Sequence, residues 1–185
     1  AGNDLVDFLA NPPSTDGAPV YEFMRALTNC PVPVIAAVDG VAVGIGTTLL
    51  LHCDFVYATP GTLFMLPFIN LAVVPEFGSS LLLPMRTGYV KAAEMLLLGD
   101  KFDSQTALQY GLINQICDVE NLMDTATATA KKLAAKPRNA LIQSKALMRR
   151  EPEPLAERIA VESETFSKMV AAPEAKAAMN KILKR

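Results

Sequence analysis

Glu76 closes the apolar run Leu71-Ala72-Val73-Val74-Pro75 and is followed at once by Phe77. Burial disfavours the charged form of a carboxyl, so such neighbours push its pKa toward the range where a general base works near neutral pH. The same residue also reads as an acid at a helix start, complementing the positive end of the helix dipole. Two glycine turns offer a second chemical capacity: Ala1-Gly2-Asn3-Asp4-Leu5, and the segment from Asp39-Gly40 to Gly44-Ile45-Gly46-Thr47-Thr48. A glycine turn that opens a helix leaves backbone N–H groups pointing outward, and these can hold a negative oxygen without any charged side chain. As a bare Gly-x-Gly spacing, tight turning and close packing account for these glycines equally well.

Other reactive residue types lack a matching partner. His52 is the chain's one imidazole, set in an apolar segment beside Cys53, with no serine nucleophile or paired acid at a recognisable spacing, so it reads as a packing histidine. Gly78-Ser79-Ser80 lacks the Gly-x-Ser-x-Gly form of a hydrolase elbow. Cys30, Cys53 and Cys117 have no metal-ligand spacing and cannot complete a zinc site with His52, so no metal is expected and the thiols read as reduced. Asp54 reads as a structural cap between a helix and a strand. The basic residues Lys131, Lys132, Lys136, Arg138, Lys145, Arg149 and Arg150 read as a solvated helix face that could also meet ligand phosphates.

The elements that must position these groups follow from pattern and punctuation. The 185 residues, 51% hydrophobic, suffice for one well-buried core. A formal net charge of −2 gives no electrostatic footprint for nucleic acid or an anionic membrane. No apolar stretch approaches the roughly 20 residues of a membrane span, and neither terminus carries a signal or peroxisomal address, so a cytoplasmic location is expected. Residues 33–40 read as a buried strand closed by Asp-Gly, 44–53 as an apolar helix and 54–58 as the next strand, an α/β arrangement. Residues 10–17 read as a surface loop. Beyond Glu76 the β character fades, and helices are expected over 79–83, 90–98, 104–110, 119–135, 138–149 and 154–184. Gly88, Gly99 and Gly111 stop helices, Asp103 or Ser104 caps one, and Pro137 and Pro154 suit starts. So few strands for so many helices implies that further N-terminal strands lie outside this chain.

Taken together, these motifs resemble the crotonase (enoyl-CoA hydratase/isomerase) superfamily from Ala1 to about Arg150. Ala1-Gly2-Asn3-Asp4-Leu5 resembles the family's Ala-Gly-x-Asp-Leu/Ile turn, and the stretch from Pro31 through Gly44-Ile45-Gly46 to Cys53-Asp54 resembles its second signature. The resemblance implies an α/β, crotonase-like fold of repeated ββα turns with a helical C-terminal region. Residues 1–118 would form the core and 119–185 the helical region for CoA closure and subunit packing, in a homotrimer or hexamer. It also implies an acyl-CoA thioester substrate whose carbonyl oxygen sits between the backbone N–H groups of Asn3 and Ile45. Coenzyme A arrives as part of that substrate, and no other cofactor is expected. Ala1, Gly2, Asp4, Leu5, Gly44, Phe68 and Asn70 are then expected at the substrate, and the nearness of Asn70 to Glu76 in sequence suggests that it orients the carboxylate.

Hydratases of the superfamily place two glutamates where this chain has Thr48 and Phe68. Peroxisomal-type Δ3,Δ2-enoyl-CoA isomerases instead place one glutamate after an Asn-Leu-Gly-Leu-like stretch, which Asn70-Leu71-Ala72-Val73-Val74-Pro75-Glu76 resembles. The expected activity is therefore Δ3,Δ2-enoyl-CoA isomerisation with Glu76 as the single base. The alternatives are another crotonase-type enzyme, such as a hydratase or hydrolase, or a non-catalytic acyl-CoA-binding module.

Overall fold

The computed structural model describes Gly2, residues 4–10 and residues 18–183. Ala1, Asn3 and the loop 11–17 therefore lie outside the described residues. The chain forms two compact units, one gathering Ala1–Cys30 and Val34–Ala130, the other Pro31–Pro33 and Lys131–Arg185.

The first unit begins with helices α1 (Leu5–Ala10) and α2 (Pro19–Thr28). A ββα turn follows: β1 (Ile35–Val38), β2 (Val41–Val43), then α3 (Ile45–Thr48) running straight into a 3-10 turn over Leu49–His52. A second turn opens the same way with β3 (Phe55–Ala58) and β4 (Leu63–Met65). Successive turns stack in parallel, β1 on β3 with Ile35 opposite Phe55, and β2 on β4 with Val41 opposite Leu63. Beyond Glu76 come α4 (Ser79–Thr87), α5 (Tyr89–Ala93) with a wide turn over Glu94–Leu98, β5 (Lys101–Asp103), α6 (Ser104–Gln109) and β6 (Gln115–Ile116). β5 closes the second sheet antiparallel to β4, and β6 joins the first parallel to β3. The two sheets have the orders β1-β3-β6 and β2-β4-β5. Between the elements lies a core that includes Leu50, Val56, Phe64, Leu66, Phe68, Leu83 and Met95.

Buried hydroxyls take up the polar backbone that so tight a spiral leaves inside. Ser104 donates to the Thr59 carbonyl (2.6 Å), Thr62 to that of Val38 (3.1 Å), and Thr59 to the Asp39 carboxylate (2.8 Å). Asp54 accepts from Val34 N–H at 2.7 Å, the structural role expected of it. α7 (Val119–Ala134) covers a smaller cluster of Tyr57, Cys117, Leu122 and Ala126, with the Tyr57 hydroxyl 2.7 Å from that of Thr129. The sequence reading divides the chain at the start of α7, and the compact units part further along the same helix.

In the second unit α8 (Arg138–Met148), α9 (Leu155–Ala171) and α10 (Pro173–Leu183) follow one another. Lys145 is buried and donates to the Val32 carbonyl at 2.6 Å, so it leaves the solvated basic face expected of it. Glu153 accepts from Arg150 (2.7 Å) and from Arg158, and these partners, Arg150 first, hold its carboxyl down at about 2.

Several boundaries differ from expectation. The helix over 154–184 is broken at Ala172, whose extended backbone (ψ 148°) is what a residue before proline prefers. α4 continues through Pro84 to Thr87 before Gly88 stops it. β2, β4, β5 and β6 are too short for any hydrophobic period to register, so the loss of β character past Glu76 is overturned by β5 and β6. Asp103 caps α6 through Thr106 N–H (2.8 Å), and Gly88, Gly99 and Gly111 all take positive φ where they end helical segments.

Candidate active site

The second glycine turn is set by Gly44. Its φ of 56° and ψ of −119° suit a residue without Cβ, and its carbonyl accepts from both Thr47 and Thr48 N–H at 2.9 Å. The helix therefore starts abruptly at Ile45, whose N–H has no acceptor among the described residues. Thr47 locks the turn from inside: its hydroxyl donates to the Ala42 carbonyl at 2.6 Å and also lies 3.1 Å from that of Met65, joining β2 to β4.

Gly2 lies at the same place. A Cβ on Gly2 would stand 2.3 Å from the Val43 carbonyl oxygen, so the backbone of residue 2 lies directly against the Val43–Gly44 peptide. Gly2 thus lies beside the second motif, some forty residues further along the chain. The N–H of Asn3 and the whole of Ala1 fall outside the described residues. Asp4 is occupied locally, its carboxylate accepting from Val6 N–H (2.8 Å) at the start of α1, and Leu5 is the first residue of that helix.

Glu76 is half-buried, and burial raises its carboxyl above the ordinary 4.5. The valines before it are not the cause in themselves, since Val73 is 52% and Val74 80% exposed. Its backbone is held in a tight turn: Ser79 donates to the Glu76 carbonyl through both its N–H (3.0 Å) and its hydroxyl (2.7 Å). The central residues have φ of 55° (Phe77) and 66° (Gly78), the signs of a type I′ turn. Left-handed backbone costs a bulky residue on the order of 1–3 kcal/mol and persists only where surroundings enforce it. At Phe77 they do, because its carbonyl lies 2.8 Å from His52 Nε2 and its ring stacks on the imidazole at 3.9 Å between centroids. Phe23 of α2 packs on the same ring at 6.3 Å.

Asn70 does not orient Glu76. Its amide donates to the Gly99 carbonyl at 3.3 Å, tying the short turn Ile69–Leu71 to the end of the Glu94–Leu98 segment. Phe68 and Thr48 are both buried, Thr48 completely. The two positions at which the hydratase pattern needs carboxylates therefore hold neutral side chains packed into the interior. Thr47 and the His52–Phe77 pair carried no legible site signal: a threonine in the first turn of a helix is unremarkable, and the contact joining residues 52 and 77 is tertiary.

Replacing Thr47 with Val keeps the shape of this junction and removes its hydroxyl. T47V is expected to lower unfolding free energy by about 1–2 kcal/mol in urea titration, the cost of leaving a buried acceptor short of its partner. A change within error would mean that the Ala42 carbonyl does not depend on this bond.

Comparison with known proteins agrees with this geometry. The sequence profile described as enoyl-CoA hydratase/isomerase matches residues 1–185. The Escherichia coli 1,2-epoxyphenylacetyl-CoA isomerase is 40% identical over 74% of this chain and 55% of its own length. The rat enoyl-CoA delta isomerase 2 is 38% identical over 81% of this chain and 40% of its own. The chain thus spans about half the length of the curated relatives it matches. Among solved structures, a Magnetospirillum magneticum AMB-1 protein provisionally called an enoyl-CoA hydratase/carnithine racemase superposes over 100% of this chain and 73% of its own, with TM-score 0.96 and 47% identity. An enoyl-CoA hydratase from Polaromonas sp. JS666 superposes over 100% of this chain and 74% of its own, with TM-score 0.90 and 26% identity. With stacked ββα turns, Gly2 set against the second glycine turn and a profile matched from end to end, the chain belongs to the enoyl-CoA hydratase/isomerase family, the crotonase superfamily.

Proposed function

We propose that the protein is a Δ3,Δ2-enoyl-CoA isomerase that uses Glu76 as its single base. The observation that carries this reading is the distribution of acids: Glu76 is half-buried with its carboxyl raised by desolvation, while the hydratase positions hold buried Thr48 and Phe68. Water addition by two carboxylates lacks its side chains here. Migration of a double bond needs one base: Glu76 takes a proton from C2 of the 3-enoyl thioester, and the same carboxyl returns it at C4. Between these steps the negative charge on the thioester oxygen is held by backbone N–H groups, that of Ile45 and, by motif position, that of Asn3. Similarity to enoyl-CoA delta isomerases from rat and man, at 38% and 34% identity, supports this reading. The name of the E. coli relative supports a second one, isomerisation of an aromatic epoxide held as its CoA thioester, and 1,2-epoxyphenylacetyl-CoA assayed beside 3-enoyl-CoA separates the two.

Glu76→Gln is expected to abolish conversion of 3-enoyl-CoA to the conjugated 2-enoyl product, read by ultraviolet absorbance, while acyl-CoA binding persists. Unchanged turnover would remove Glu76 from the mechanism. Because burial raises its pKa, the basic form is lost as pH falls through a value above 4.5, and the acidic limb of kcat/KM should lie above that value. For stability the sign reverses. A carboxyl that binds its proton more tightly folded than unfolded favours folding below its unfolded pKa, and that contribution is lost as pH rises through the folded pKa. E76Q should therefore melt at pH 7 no lower than the parent, and a lower Tm would mean that the ionised carboxylate stabilises the fold. Gly2→Ala should cost on the order of 100-fold in kcat by moving the first glycine turn off the Val43 carbonyl, the size of one lost oxyanion donor. A loss under about 3-fold would detach this contact from catalysis.

A further inference from the structure

We propose that His52 is a positioning residue for Glu76, an inference that rests on Glu76 being the base. The imidazole is 9% exposed and closes the 3-10 turn that continues α3, so one continuous helical segment carries Ile45 at its start and His52 at its end. From there Nε2 faces the Phe77 carbonyl at 2.8 Å. A carbonyl oxygen only accepts, so Nε2 carries the proton of this bond. The two rings lie 3.9 Å apart and 20° from parallel.

Both contacts fall on the residue next to Glu76, and they constrain different freedoms. The hydrogen bond fixes the plane of the Phe77–Gly78 peptide, and the stacked ring fixes the side chain of a residue whose φ of 55° is otherwise disfavoured. The internal bonds of the turn, from Ser79 to the Glu76 carbonyl, hold the far side of the Glu76 backbone but tie it to nothing outside the turn. His52 supplies the outside tie, made to the segment that also presents the Ile45 N–H. It therefore sets where the carboxylate stands relative to the oxyanion donor, and an error in that spacing reaches the rate of proton transfer directly. A buried imidazole N–H needs an acceptor in any case, and here that acceptor is the carbonyl of the residue adjoining Glu76.

Four variants test this in the 3-enoyl-CoA assay, each with its Tm and acyl-CoA affinity. His52→Phe keeps a stackable ring and loses the donor. Its kcat should fall on the order of 10- to 100-fold with KM changed less than about 3-fold. His52→Gln loses the ring but reaches the Phe77 carbonyl with its amide nitrogen, and should recover most of kcat. His52→Asn is too short to reach and should stay slow. The double variant H52F/E76Q should be no slower than E76Q, since His52 acts through Glu76. Parental kcat in H52F overturns the proposal, as does equal slowing of H52Q and H52N in step with loss of Tm, which is the signature of packing alone. If H52F does not fold, the Gln and Asn pair decides. Failure of the base assignment is read separately, as activity retained in E76Q.

Discussion

Much of this molecule depends on the Gly44 carbonyl accepting two amides, those of Thr47 and Thr48. That bifurcated bond converts a strand end into a helix start within one residue and leaves the Ile45 N–H without a partner among the described residues. The arrangement requires φ of 56° at Gly44, a close approach by the backbone of Gly2, and a hydroxyl at position 47 to anchor β2 to β4. Each requirement limits the residue type: glycine at 44 for the dihedral, glycine at 2 for space, and threonine at 47 for a donor that still fits a β-packed interior. A backbone N–H presented in this way depends on turn geometry, and small residues supply that geometry.

The stacked turns make such a site rigid. β1 lies on β3 and β2 on β4 in parallel register, so the peptide carrying Ile45 is backed by a second strand layer at Met65, whose carbonyl accepts from Gly44 N–H at 3.0 Å. Behind it the hydroxyls of Thr62 and Ser104 add second bonds to the interior carbonyls of Val38 and Thr59, and the Thr59 hydroxyl donates to the Asp39 carboxylate. Strands of three or four residues are marginal alone, and here stacking with neighbours of the same spiral supplies their stability.

How much of this was legible in the sequence follows from the range of each interaction. The strand at 35–38, the helix start after Gly44 and the Gly88, Gly99 and Gly111 stops rest on local dihedrals and hydrophobic pattern, and they were readable. Glu76 stands out for the proline and apolar neighbours beside it in the chain, although Val73 and Val74 are exposed and its partial burial has other sources. Asn70 misled for the same reason: nearness in sequence suggested an orienting role, while its amide turns the other way to Gly99. The short strands past Glu76 were invisible because two or three residues cannot display a period. Ala172 broke the last helical pattern through the steric demand of Pro173, a signal that was present and outweighed by amphipathic spacing.

Phe77 shows why the remaining part of the site needed coordinates. Type I′ turns favour asparagine, aspartate or glycine at their first central position, so a phenylalanine there argues from sequence against a turn at all. The turn forms because energy from outside it outweighs the local preference: a stacked imidazole, a hydrogen bond to the Phe77 carbonyl and the ring of Phe23 from α2. Local strain next to a half-buried carboxylate is tolerated where a fixed orientation of that carboxylate matters more than the cheapest turn. A relaxed Asn-Gly turn at 77–78 would form more readily and keep the carbonyl that His52 meets, but it would lose the stacked ring. The costlier residue adds a ring contact between the turn that carries Glu76 and the segment that presents the Ile45 N–H.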